Sequence, residues 1–162
     1  VRIRTGSTRS DEKKEVTVAG TVIQDSIDIT GERQACVDVI TDFEAYPSWQ
    51  KNTRSTEVVE RDEQGRGTRV RFVFKTPVKI VTYDVSYDWS QAPDKVVCNL
   101  IEGDISDWYE SFQFTDTDGA TRLDYEVRVH PGFPLPDIIR RQLQKQWAHQ
   151  TLRHIKKTVE AA

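Results

Sequence analysis

Between Gly20 and Val129 apolar and polar residues alternate, and most of that stretch reads as strand. Val81, Tyr83, Val85, Tyr87 and Trp89 oppose Thr82, Asp84, Ser86 and Asp88. Val70, Phe72 and Phe74 oppose Arg69, Arg71 and Lys75. Leu123, Tyr125, Val127 and Val129 oppose Arg122, Asp124, Glu126, Arg128 and His130. Each set predicts a strand with one buried and one wet face, with Asp84, Arg69 and Arg71 on the wet side. Six strands are expected over 54–61, 68–75, 79–89, 95–101, 105–114 and 121–130, divided by polar or Pro/Gly-bearing turns. Links this short join antiparallel neighbours into a meander. The segment 95–101 declares no face. On the fifth of these strands Trp108, Phe112 and Phe114 share the buried side, which puts Glu110 there too.

Before the meander, residues 16–29 alternate as a first strand that Gly31-Glu32 ends. Residues 34–43 form a short amphipathic helix, with Ala35, Val39 and Phe43 four apart and Cys36 and Ile40 beside them. Pro47 blocks its easy continuation, so Tyr46 and Trp49 sit on a turn or a second very short helix. After the meander comes the one long helical stretch, 134–162. Its apolar residues form a row at spacing four: Leu135, Ile139, Leu143, Trp147, Thr151, Ile155 and Val159, with Ile138 flanking the first half. That spacing drifts ~40° per step, about 240° along the row, so the buried face moves round the helix. Arg140 and Arg141 oppose the first half, and Arg153 and Lys157 the second. The expected fold is α+β: a curved antiparallel sheet of about seven strands wrapped around a long C-terminal helix, with one or two short helices after the first strand. The helix is expected to be gripped along its length, with Trp147 where its two faces meet.

Composition adds limits. The 162 residues make one domain over 16–162, preceded by a polar, charged and aperiodic tail over 1–15 that is expected to be mobile. The net charge of −3 carries no global signature for nucleic acid, and no direct nucleic-acid partner is expected. The charge is uneven: +2 over 1–15, +4 over 134–162 and −9 between. A basic helix on an acidic sheet explains this, and a protein partner on the basic helix face is the alternative. Cys36 and Cys98 have no CxxC and read as buried thiols. No apolar run approaches the ~20 residues needed to span a membrane, and no signal peptide is expected. A cytoplasmic location is expected.

A strongly twisted sheet curled around one helix need not fill its own curve, and the space left favours apolar ligands with few polar anchors. The buried face is aromatic: Phe72, Phe74, Tyr83, Tyr87, Trp108, Phe112 and Tyr125, with Trp89 at a strand end. Its phenols each need a hydrogen-bond partner, which a ligand or water in a cavity would supply. Apart from Trp89, these residues, with Trp49, Glu110, Leu143 and Trp147, are the expected ligand-binding set.

Five stretches together resemble the START-like, helix-grip (SRPBCC) superfamily, and within it the polyketide cyclase/dehydrase and coenzyme Q-binding branch. They are Tyr46-Pro47-Ser48-Trp49; Ser55-Thr56-Glu57-Val58-Val59; Gly65-Arg66-Gly67-Thr68; Gly119-Ala120-Thr121-Arg122-Leu123-Asp124-Tyr125; and Pro134-Leu135-Pro136. The resemblance spans roughly residues 16–159. It implies a cavity for a lipid, an isoprenoid quinone or a polyketide-like molecule. It also implies two alternatives: a cyclase, aromatase or dehydratase, and a protein-interaction module of the ribosome-associated toxin type.

The residues themselves show no complete catalytic set. Glu110, an acid on an apolar face with its pKa raised by desolvation, is the best acid–base candidate, and Tyr83 the next. His130, His149 and His154 have no ligand spacing, and no nucleophile elbow or phosphate-cradling glycine loop occurs. Neither a metal nor a cofactor is expected.

Overall fold

The computed structural model describes residues 22–162. The tail over 1–15 and the start of the first strand over 16–21 lie outside them. The chain runs β1 (Val22–Ile29), α1 (Arg33–Thr41), a 3-10 turn (Phe43–Ala45), α2 (Tyr46–Trp49), β2 (Thr53–Arg61), β3 (Gly67–Lys75), β4 (Ile80–Asp88), β5 (Lys95–Gly103), β6 (Asp107–Thr117), β7 (Ala120–His130) and α3 (Asp137–Ala161). The seven strands form one antiparallel sheet in the order β1-β7-β6-β5-β4-β3-β2. β1 closes the far side of the meander by pairing with β7, from Val22 opposite Arg128 to Ile29 opposite Thr121.

Alternation sets the registers. Phe72 lies opposite Tyr83, Cys98 opposite Glu110, and Phe112 opposite Tyr125, so the aromatic positions stack on one face across four strands. β5, which showed no face in the sequence, buries Val96 and Cys98 on that side. The β6–β7 hairpin turns on Asp118 (φ 30°) and Gly119 (φ 81°), the left-handed pair that a two-residue hairpin needs. Pro47 occupies the first turn of α2, where its missing N–H costs nothing.

Asp84 departs from the expected solvated face: it is 3% exposed. Arg69 and Arg71, one strand away on β3, fold over it. Arg69 Nε donates to Oδ2 and Arg71 Nε to Oδ1, both at 2.8 Å. The wet side of a strand can still be covered when long side chains on its neighbour reach across.

α3 rests on β1, β7 and α1. Its last turns are stapled there: Lys156 Nζ donates to the Asp28 carbonyl (2.7 Å), and the Thr30 N–H donates to Glu160 (2.9 Å). Gly31, at φ +155°, lets that loop press against the Val159 side chain, where a Cβ would clash. Trp147, Ala148, Thr151, Leu152, Ile155 and Val159 are all buried. The first turns differ from the expected grip. Leu135, Ile139 and Leu143 are half-buried, and Ile138 is 75% exposed. The sheet holds the helix closely from Gln144 onward and stands off before it.

Candidate functional site

The space between the sheet and the first turns of α3 is an apolar cavity of about 60 Å³. Phe74, Val81 and Tyr83 form its β3–β4 wall, and Ile105, Trp108 and Val129 the opposite one. Pro131, Phe133 and Leu135 close it from the link into α3. Arg140, Leu143, Gln144 and Trp147 form the helix side. Trp108 and Trp147 meet edge to face at 4.9 Å at its inner limit. Lys79 of the β3–β4 turn lies 4.7 Å over the Phe133 ring, so that turn and the link into α3 meet at the mouth.

Behind Trp147 lies a buried polar network. Glu110 is 2% exposed. Its Oε2 accepts from the Tyr125 hydroxyl (2.5 Å) and from Trp147 Nε1 (3.0 Å). Burial pushes the Glu110 carboxyl up to about 7, against the opposing pull of those two hydrogen bonds. Thr151 lies beside the Tyr125 hydroxyl. Gln50 Nε2 donates to Thr151 Oγ1 (2.8 Å) and to the Trp147 carbonyl (3.1 Å). On the other flank the Trp108 indole and the Tyr87 hydroxyl lie beside the Cys98 sulfur, with Tyr46 next to Tyr87. Gln144 Nε2 donates to the Val127 carbonyl at 2.9 Å.

Of the residues expected to bind ligand, the structure brings Phe74, Tyr83, Trp108, Leu143 and Trp147 together around the cavity. Glu110 and Tyr125 stand behind Trp147, one layer from the cavity. Phe72, Tyr87 and Phe112 pack within the core: Phe72 stacks on Tyr83, Tyr87 on Trp89, and Phe112 against Tyr125. Trp49 is elsewhere, half-buried on α2 and stacked on His154 of α3 at 4.2 Å. Sequence reasoning missed Phe133 and Leu135. Two apolar residues set among prolines in a link were a signal, because such positions have no strand or helix face to serve. It also missed Gln50 and Gln144, polar residues that no periodicity separates from surface ones, whereas Thr151 lay in the row at spacing four.

The interior phenols have different fates. Tyr46 and Tyr125 are each hydrogen-bonded within the protein, and the Tyr87 hydroxyl lies beside Cys98 and Tyr46. Tyr83, 3% exposed and in the cavity wall, has no hydrogen-bond partner for its hydroxyl among the described residues. Burial raises its phenol well above the ordinary 10, so it stays protonated and able to donate.

Among the described residues no cluster of His, Cys, Asp and Glu has the makings of a metal site. No helix among them is long and apolar enough to cross a membrane. On α3, Arg141, Lys145, Arg153 and Lys157 are exposed.

The family model described as polyketide cyclase / dehydrase and lipid transport matches residues 38–156. No curated protein matches the chain by sequence. Among solved structures the chain is similar to a START superfamily protein from Mycobacterium smegmatis, with TM-score 0.72 and 16% identity over 86% of this chain and 97% of that one. It is similar to the Zhui aromatase/cyclase from Streptomyces sp. R1128, with TM-score 0.65 and 14% identity over 86% and 93%. It is also similar to a STAR-related lipid transfer protein from Xanthomonas axonopodis, with TM-score 0.66 and 12% identity over 86% and 85%. At such identities the likeness is one of fold.

Proposed function

This chain belongs to the polyketide cyclase / dehydrase and lipid transport family, and we propose that it binds a hydrophobic small molecule between its sheet and the first turns of α3. The ligand class is a lipid, an isoprenoid quinone or a polyketide-like molecule. The observation that carries this is the coincidence of an apolar cavity with the one stretch of the helix that the sheet does not hold closely. Pockets that enclose a drug-sized ligand measure roughly 300–1,000 Å³. At about 60 Å³ the cavity is a starting point that a ligand enlarges by moving those turns outward. The test is binding of the neutral dye N-phenyl-1-naphthylamine and its displacement by lipids and quinones. Leu143→Trp, which fills the cavity from the helix side, is expected to weaken dye binding at least tenfold with the circular dichroism unchanged. Dye binding that ignores this substitution would place the ligand elsewhere.

A cyclase or dehydratase is the second reading, and Glu110 favours it, because a carboxyl near 7 exchanges protons readily at neutral pH. It requires the substrate to displace the Trp147 indole and reach Oε2. Turnover of a polyketide-like substrate that survives Glu110→Gln intact would exclude that role.

A further inference from the structure

We propose that the Tyr83 hydroxyl is the polar anchor of the cavity, and that the ligand it selects is an apolar molecule carrying a hydrogen-bond-accepting oxygen, such as a ketone, quinone or ether, in preference to a plain hydrocarbon. This rests on the cavity being the binding site.

The geometry separates Tyr83 from every other interior phenol. Tyr125 spends its proton on Glu110, Tyr46 on the Ile40 carbonyl, and Tyr87 is engaged with Cys98 and Tyr46. The two indoles that border the cavity also face protein partners, Trp147 donating to Glu110 and Trp108 lying beside Cys98. Tyr83 borders the same cavity, is equally buried, and has no protein partner for its hydroxyl among the described residues. With no protein partner, the hydroxyl can donate only to what fills the cavity, and a ligand acceptor there supplies that bond. A hydrocarbon seals the hydroxyl in without satisfying it. The Phe72 ring, stacked on Tyr83 with centroids 5.7 Å apart and planes 9° apart, and Trp108 at 5.7 Å on its other contact fix the phenol in place. A donor held this way discriminates, because it cannot turn to another acceptor when the ligand lacks one.

The experiment compares 2-acetonaphthone with 2-ethylnaphthalene, which share a skeleton and differ in the carbonyl. Affinities come from quenching of tryptophan fluorescence, and the ketone C=O stretch is followed by infrared difference spectroscopy. Wild-type protein is expected to bind the ketone three- to tenfold more tightly than the hydrocarbon, the span of one neutral hydrogen bond, with the bound C=O band shifted to lower frequency. In Tyr83→Phe the preference should fall below twofold and the band should return, while hydrocarbon affinity holds or improves. A ketone preference or a band shift that persists in Tyr83→Phe overturns the proposal, as does a wild-type protein that binds both compounds equally. If neither compound binds wild type, the cavity itself is not the site and both proposals fall. Circular dichroism checks the fold of the variant, and the wild-type infrared band tests the anchor independently of it.

Discussion

Two carboxylates show how one residue type is driven in opposite directions by what surrounds it. Asp84 is covered by two arginines, whose hydrogen bonds, Arg71 first, hold its carboxyl below the ordinary range. Glu110 is covered by rings, and burial raises it from 4.5 to about 7. The sign of the resulting pH dependence follows. Between pH 4.5 and 7 the folded chain keeps a proton on Glu110 that the unfolded chain has lost, so stability falls as pH rises through that window and levels off above it. At 1.36 kcal/mol per pKa unit the loss is about 3 kcal/mol. Glu110→Gln keeps an acceptor oxygen for Tyr125 and Trp147 and cannot ionise. It is therefore expected to flatten the decline and to be more stable than wild type at pH 8 by about 2 kcal/mol. Urea unfolding at pH 5 and pH 8 measures this, and a variant with the wild-type slope would assign the decline to other groups.

At the scale of the element, α3 is one continuous helix with two unequal halves. From Trp147 on, its apolar side is buried and its end is hydrogen-bonded to the β1 strand and the loop after it. Before Gln144 it covers a cavity and leaves Ile138 in solvent. Helical stability in proteins comes mainly from packing, so the first turns open locally at lower cost than the last. Amide hydrogen exchange is expected to be at least tenfold faster over 140–145 than over 150–157, and to slow over 140–145 when ligand binds. Uniform protection along the helix would mean that the cavity does not weaken it. The sequence located the apolar row along the helix but not which half of it would be held. A row at spacing four says where the apolar residues point, while the hold depends on how far the sheet curls, which no local pattern encodes.

At the scale of the molecule, most of the fold was legible because strands with one wet face write their parity into the sequence: Val81 to Trp89 and Leu123 to Val127 are buried as alternation predicts. The pairing order from β2 to β7 followed from the short links, while the pairing of β1 with β7 did not. The site was legible only in part. Alternation finds the rings that face inward, yet Phe72 and Phe112 fill the core while Phe74 and Tyr83 border space, and the difference lies in distances between strands and helix rather than in residue type. Cavity volume was not legible at all, and it sets the final expectation. A cavity of about 60 Å³ cannot enclose a lipid or quinone in the closed form, so entry must await the outward movement of the first turns of α3. In stopped-flow mixing the observed binding rate should then rise with ligand concentration and level off at the opening rate. Ile139→Ala removes half-buried packing from those turns without touching the cavity wall. If it costs the closed state about 1 kcal/mol, the plateau rises about fivefold. A rate that stays linear with ligand concentration, in wild type and variant alike, would show that the ligand enters a cavity already open, and the two halves of α3 would need another explanation.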